Sequence, residues 1–381
     1  MGYIKLNPIK QFDFQINRIL TYGKEACNFE EIKNGVDKIC DFNTWYLFWK
    51  NLGLKAENEK RHLHAAYYFR LAEFFLNNSI EKDEMYNYSI NNFYKIINMD
   101  KNITKEYVPY NNTFMKTLVF KHENPKGNII IFGGYDSFIE EFYIAIKELF
   151  KIKCNIYLFE GPGQGQTLKN GLTFEPYWEK PVDSIIYYFH LENVFVIGIS
   201  WGGYLALRSA AFDKRIKKVV AYDVLYDGFD CMINPFPILL KVIIRILFLF
   251  KAKTIFNKIM EKLMKKLMKK ILILQWAITH GKYITGTNNV YDFYNQLKKH
   301  TLKNIMGKIE CDVLLLAGEK DHYIPKKHYS ILMKGIKNAK SIEGKIFTEK
   351  EGGGEHCQIG NHKLAMDYII NWIYNGQDYC A

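Results

Sequence analysis

Ser200 sits at the centre of the frame Gly198-Ile-Ser-Trp-Gly202, with the apolar run 193–199 before it and a helix-forming stretch, 204–211, after it. That order predicts a strand, a sharp turn and a helix, with the serine held out at the apex. A turn this tight leaves no room for Cβ atoms on either side of the serine. The sequence meets that demand with Gly198 and Gly202.

A serine hydroxyl is a weak nucleophile until a base takes its proton and an acid orients the base. The chain supplies both, in the order serine, acid, histidine. Residues 312–316, Asp-Val-Leu-Leu-Leu, read as a buried strand that runs through 317–320 into Asp321. An acid just past the carboxyl end of a parallel strand stands on the same rim as the serine. The competing reading makes Asp321 a cap for a helix near Pro325.

His356 lies in a glycine-rich loop, 351–360, between the expected last strand at 345–348 and the last helix. That position makes it the base. His322 adjoins the acid and has difficulty turning back to meet it. His362 opens the final helix and reads as a surface or capping residue.

Oxyanion donors are expected from the Trp201 backbone N–H and from the N–H of Gly134 or Tyr135, in the loop after the strand at 127–132. A second glycine cluster, 161–165, follows the apolar strand 155–159. It lacks G-K-[ST] and the G-x-G-x-x-G spacing, and Pro162 removes an N–H donor, so it is a turn at the edge of the site rather than a phosphate cradle.

Four motifs in order, Gly-Gly-Tyr-Asp-Ser (133–137), Glu-Gly-Pro-Gly-Gln-Gly (160–165), Gly-Ile-Ser-Trp-Gly-Gly (198–203) and Glu-His-Cys-Gln-Ile-Gly (355–360), carry a resemblance. Together they resemble the α/β-hydrolases related to 2,6-dihydroxypseudooxynicotine hydrolase and to the fungal hydrolases that shorten polyketide chains. Residues 66–75 and 275–281 extend the similarity into the N-terminal helices and the cap. Position by position, the resemblance places the nucleophile on Ser200, the triad acid on Asp321 and the base on His356. It implies cleavage of a carbon-carbon bond next to a ketone, or of an ester-like bond, in a medium-sized and often aromatic substrate. The family can use a further acid after the sixth strand, and here Asp223, Asp227 and Asp230 compete for that role.

The expected fold is α/β: a mainly parallel sheet flanked by helices, with an N-terminal helical domain (1–108), a core in two parts (109–225 and 301–381) and a helical cap inserted at 226–300. The helical N-terminus either covers the site or forms a homodimer interface. A chain of 381 residues with 48% hydrophobic and 16% aromatic side chains can bury such a core. Seven cysteines are scattered without metal-ligand spacing, which points to a reducing cytoplasm and no metal. Cys357, beside the base, has no elbow and no activating partner. No cofactor motif is present.

The net charge of +12 first suggests nucleic acid or an anionic surface. Ten Lys or Arg against one Glu lie between Lys241 and Lys270, a local balance of 10 − 1 = +9. No aromatic-interleaved basic groove or zinc-finger spacing accompanies them, so nucleic acid is excluded as a partner. Apolar pairs 259–260, 263–264, 267–268 and 271–272 recur every four residues, the pattern of an amphipathic helix. It reads as a cap over the site in preference to a membrane-bound helix. The apolar run 236–250 is interrupted by Lys241 and Arg245 and is shorter than the roughly 20 residues of a membrane span. The expected partner is a small-molecule substrate. Acyl transfer or cyclisation from the same acyl-enzyme, and a non-catalytic binding or membrane-associated protein, are the alternative readings.

Overall fold

In the computed structural model, which describes residues 2–267 and 272–375, the apolar runs of the sequence pair into one eight-stranded sheet. The strands are β1 (Ile103–Tyr110), β2 (Thr113–Phe120), β3 (Asn128–Phe132), β4 (Asn155–Phe159), β5 (Val194–Ile199), β6 (Ile216–Tyr222), β7 (Asp312–Gly318) and β8 (Ser341–Phe347). Their spatial order is β1-β2-β4-β3-β5-β6-β7-β8. β1 and β2 form a hairpin and β2 runs antiparallel to β4; every other pairing is parallel.

β5, Val-Phe-Val-Ile-Gly-Ile, is buried along its whole length. A continuous apolar run of this kind suits a central parallel strand, covered by helices on both faces. Because β5, β6 and β7 are parallel and adjacent, their carboxyl ends open onto one rim. Residues 200, 223 and 321 therefore emerge side by side, although the chain separates them widely.

Two boundaries differ from the sequence reading. β1 opens at Ile103, inside the stretch read as helical, because alternating polar residues there pair as an edge hairpin. β8 begins at Ser341 rather than at Lys345, and its exposed alternate residues hide its amino-terminal half from a search for apolar runs.

Before the sheet come helices Lys10–Thr21, Phe29–Lys33, Phe42–Asn58, His62–Phe74 and Ile80–Ile97. Asp41 closes a capping box at the start of the third, and Ser79 caps the fifth through Lys82 N–H. Their core is aromatic: Phe12 stacks on Trp45 at 5.1 Å, and Phe75 meets both edge-on. Burying each such ring contributes about 1.5–3 kcal/mol. This cluster is continuous with the buried residues of one sheet face, so the N-terminal helices pack on the core rather than beside it.

Between β6 and β7 lie helices Gly228–Ile233, Ile238–Leu249, Lys253–Leu267, Leu272–Thr285 and Val290–Leu297. Part of the predicted four-residue stripe, 268–271, falls outside the described residues, as does Cys380. No described helix is long and apolar enough to cross a membrane. No disulfide joins the described cysteines, at 27, 40, 154, 231, 311 and 357.

Candidate active site

Ser200 takes a left-handed backbone conformation, φ 62°, at the end of β5. For a residue with a Cβ this costs about 1–2 kcal/mol. The surroundings impose it: Ser200 N–H donates to Tyr222 O at the end of β6, and helix Gly202–Phe212 begins at once. A Cβ on Gly198 would lie 1.9 Å from Gly202 O, so only glycine allows the helix to turn back this closely.

The structure brings all three sequence-predicted side chains together. Ser200 Oγ lies 2.8 Å from His356 Nε2, and His356 Nδ1 lies 2.7 Å from Asp321 Oδ2. Both readings of Asp321 hold at once. Its Oδ1 accepts from the N–H groups of Tyr323 and Ile324, fixing the turn, while Oδ2 faces the histidine.

Asp223 completes the arrangement. It is fully buried, and its Oδ2 lies 3.0 Å from His356 Nδ1 while accepting from Cys357 N–H at 2.7 Å. Asp227 instead caps helix Gly228–Ile233 through Asp230 N–H. Asp230 is occupied by Arg245, Lys327 and His328 on the outer side. Of the three competing acids, only Asp223 reaches the histidine.

The electrostatics follow from two carboxylates facing one imidazole in a dry site. Burial works to raise the Asp321 carboxyl, but His356 and the two backbone donors outweigh it and hold it below the usual range. Burial, with the nearby Asp321 charge, pushes Asp223 up. Burial opposes charge on His356 too, yet Asp321 and the other neighbours raise it well above an ordinary histidine. The Cys357 thiol is pushed by burial up to about 11, which keeps it protonated and unreactive. Asp223, His356 and Cys357 form the one described group whose ligand atoms, within 4.8 Å of one another, are close enough to surround an ion. With Nδ1 facing two carboxylates and the thiol protonated, the group is arranged to hold a proton rather than a metal.

No family model matches the chain. Hydrolase LUC6 of Fusarium sp is 26% identical over 415 residues, covering 96% of this chain and 96% of the relative. The 20-hydroxy-prefusarin hydrolase FUS2 of Gibberella moniliformis is 26% identical over 407 residues, covering 95% of each. The crystal structure of 2,6-dihydroxy-pseudo-oxynicotine hydrolase superposes with a TM-score of 0.72 at 16% identity, covering 94% of this chain and 95% of that one.

The chain has the α/β-hydrolase fold.

In this fold the loop after β3 abuts the serine turn: a Cβ on Gly134 would lie 2.6 Å from Trp201 N. The two candidate donors of that loop are not equivalent. Gly134 N–H is committed to Ser137 Oγ at 2.6 Å, which removes it from the expected set and leaves Tyr135. Among the described residues the Trp201 and Tyr135 N–H groups have no protein acceptor. The loop is held from behind by Gln164, whose Nε2 donates to Gly133 O at 2.9 Å and Gly134 O at 3.0 Å. The 161–165 turn thus positions the loop, a role that its glycine pattern did not reveal.

Ser200 and His356 line a cavity that is open in part to solvent. Its wall is mostly aromatic and aliphatic, with Phe14, Tyr135, Phe142, Trp201 and Trp276 among the lining residues. Helix Lys10–Thr21 contributes Phe14, Gln15 and Arg18, so the N-terminal helices cover the site. Trp276 stacks on Phe74 at 4.9 Å and faces the cavity. Tyr68 stays out of the cavity, its hydroxyl on Asn28 and Glu31.

His362 departs from the sequence reading. It is not a surface residue but lines the cavity edge-on to Tyr22, and burial depresses it to about 4. His322 also lines the cavity, packed on Phe14, and burial lowers it. Each has a buried ring nitrogen without a hydrogen-bond partner among the described residues.

Among the described residues Arg18 is the one cavity-lining residue of fixed positive charge, and it is neutralised at 2.9 Å by Asp136 and at 2.7 Å by Glu141. Arg70 extends the network to Glu141 and Glu73, and Lys82 closes it on Glu73. No short motif marks these residues, since Arg18 and Asp136 are 118 positions apart.

Proposed function

We propose that this hydrolase cleaves a carbon-carbon bond next to a ketone through an acyl-enzyme on Ser200. The observation that carries the reading is the 2.8 Å approach of Ser200 Oγ to His356 Nε2 at the wall of an apolar cavity. Ser200 Oγ attacks the carbonyl carbon while its proton passes to His356 Nε2. The oxyanion is met by the N–H groups of Trp201 and Tyr135. The carbon-carbon bond then breaks, the leaving carbon takes the electron pair, and His356 returns the proton to it. Water attacks the acyl-enzyme with His356 again as base, releasing a carboxylic acid and restoring the serine.

A second carboxylate at His356 favours carbon-carbon over ester cleavage. An alkoxide leaves readily, whereas a carbon leaving group depends on a proton delivered as the bond breaks. Asp223 beside Asp321 stabilises the imidazolium that must persist until then. Ester-like cleavage uses the same groups without needing Asp223.

The substrate is medium-sized, largely apolar or aromatic, and uncharged but oxygen-bearing. The aromatic and aliphatic wall supports the second property. Arg18 neutralised by its partners, and two uncharged histidines with unpartnered nitrogens, support the third, because they suit hydroxyl or keto oxygens rather than a free carboxylate. A relative of similar length is named for a hydroxylated substrate, 20-hydroxy-prefusarin.

Incubation with a fluorophosphonate followed by intact mass measurement tests the nucleophile. One adduct, lost in Ser200→Ala, is expected; a folded protein that takes up no adduct overturns the reading. Turnover of a β-diketone and of a matched ester in ¹⁸O water then separates the two bond types and shows whether water or another nucleophile receives the acyl group.

A further inference from the structure

The described part of the basic segment, expected to close over the cavity, faces the other way. Among the described residues none from 238–263 lines the cavity; the wall on that side comes from Met232, Pro235, Ile273, Leu274, Trp276 and Ala277. Helices Ile238–Leu249 and Lys253–Leu267 meet through Phe248 and Phe256, rings 5.0 Å apart, and both pack on Tyr291. Their opposite faces are therefore turned outward.

On the first helix that outer face is apolar. Ile238 is 80% exposed, Leu239 73%, Leu249 75% and Phe250 76%, with Val242, Ile243 and Ile246 exposed among them. At about 100° per residue these positions fall within one sector of roughly 140°. Single exposed leucines need no explanation, but a contiguous set this large marks a contact surface.

The second helix adds charge. Lys251, Lys258 and Lys262 are exposed and have no carboxylate within ion-pair distance among the described residues, whereas Arg245 and Lys253 are paired with Asp230 and Asp292. Ile255 shares the helix face of Lys258 and Lys262 and is 55% exposed. Large apolar side chains beside unpaired lysines are the makeup of a helix lying in an anionic bilayer surface. A two-fold contact with a second copy would set this segment against itself, +9 against +9 by sequence.

We propose that the helix pair 238–267 docks the hydrolase on an anionic lipid bilayer. Ile238, Leu239, Leu249 and Phe250 enter the acyl region, and Lys251, Lys258 and Lys262 meet head-group phosphates. A surface-seated enzyme can draw an apolar substrate from the lipid phase into a cavity whose wall, at Met232 and Pro235, directly precedes the docking helix in the chain. The inference is independent of the reaction at Ser200.

The test is co-sedimentation of the full chain with vesicles of phosphatidylcholine alone and of phosphatidylcholine mixed with phosphatidylglycerol. Binding to the anionic vesicles, weakened by salt and on the order of 100-fold weaker on neutral ones, is expected from three lysines near the surface. Leu239→Asp with Phe250→Asp, and Lys251→Glu with Lys258→Glu and Lys262→Glu, should both leave the protein in the supernatant. Their circular dichroism and their turnover of a soluble aryl ester should be unchanged. Wild-type protein that stays in the supernatant, or binds both vesicles equally, overturns the proposal. So does a dimer in analytical ultracentrifugation that the Leu239→Asp, Phe250→Asp variant abolishes, since the face then belongs to a second copy.

Discussion

Asp223 and Asp321 approach the same nitrogen of one histidine, their Oδ2 atoms lying 3.0 and 2.7 Å from His356 Nδ1. They are not interchangeable. Asp321 Oδ1 is tied to the turn at Tyr323 and Ile324, so its Oδ2 is fixed on the ring. Asp223 is anchored through Cys357 N–H and Gln358 Nε2, on the histidine loop itself. Asp321→Asn should lower kcat by about 10⁴-fold, because an amide donor facing Nδ1 favours the wrong tautomer. Asp223→Asn should cost much less. A larger loss in Asp223→Asn than in Asp321→Asn, measured on one substrate, would exchange their roles.

The acidic limb of kcat/KM follows from the same pair. His356 must be neutral to take the Ser200 proton, and its neighbours raise it well above the ordinary histidine value. Activity should therefore rise with pH only through a midpoint on the alkaline side of about 6.5. Removing an anionic neighbour destabilises the imidazolium, so Asp223→Asn should move the limb to lower pH. A limb that stays in place shows that Asp223 is uncharged in the free enzyme.

The sequence made Ser200, Asp321 and His356 legible because each stands at a junction between regular elements, where local composition marks strand, turn and helix. Asp223 was one of three acids in eight residues. What selects it is the point at which β6 ends, set by pairing with β5 and β7 and not by local residues. Arg18, Gln164 and His362 act across long separations in the chain, and no periodicity reports such contacts. The same limit hid which face of 238–250 turns outward, since an amphipathic pattern gives the faces of a helix but not what each one meets.

Gln164→Leu should separate positioning from chemistry. The substitution removes two hydrogen bonds to Gly133 O and Gly134 O and leaves the Tyr135 N–H free to drift. A misplaced oxyanion donor is expected to lower kcat by up to about 10²-fold with little change in KM. Leaving the buried carbonyls unpaired costs about 1–3 kcal/mol of stability. Steady-state kinetics with a urea melt read both effects, and a change confined to KM would place Gln164 in binding instead.

Gly198→Ala probes the serine turn without touching a reacting group. Its Cβ would lie 1.9 Å from Gly202 O, a contact with backbone that no side-chain rotation relieves. The helix start must move, carrying the Trp201 N–H with it. A loss of about 3 kcal/mol or more by chemical denaturation, with slowed fluorophosphonate labelling, is expected. Wild-type stability would mean that the elbow has slack.

Arg18→Ala leaves Asp136 and the Arg18-facing oxygen of Glu141 buried without their nearest cation. Breaking a buried pair from one side costs about 3–5 kcal/mol at neutral pH, and Arg18→Ala with Asp136→Ala should recover part of that. The pH dependence carries the sharper signature. Burial raises Asp136, but Arg18 and Arg70 outweigh it and hold the carboxyl below 3.8, so its contribution is present above the unfolded value and lost as pH falls through the folded one. The variant has no such contribution to lose, and acid relieves it by protonating the stranded carboxylates. Its deficit relative to wild type should therefore be greatest near pH 7 and shrink below about pH 4, read from urea midpoints across that range. A deficit independent of pH would assign the loss to side-chain packing and to the guanidinium over the Phe74 ring rather than to the ion pairs.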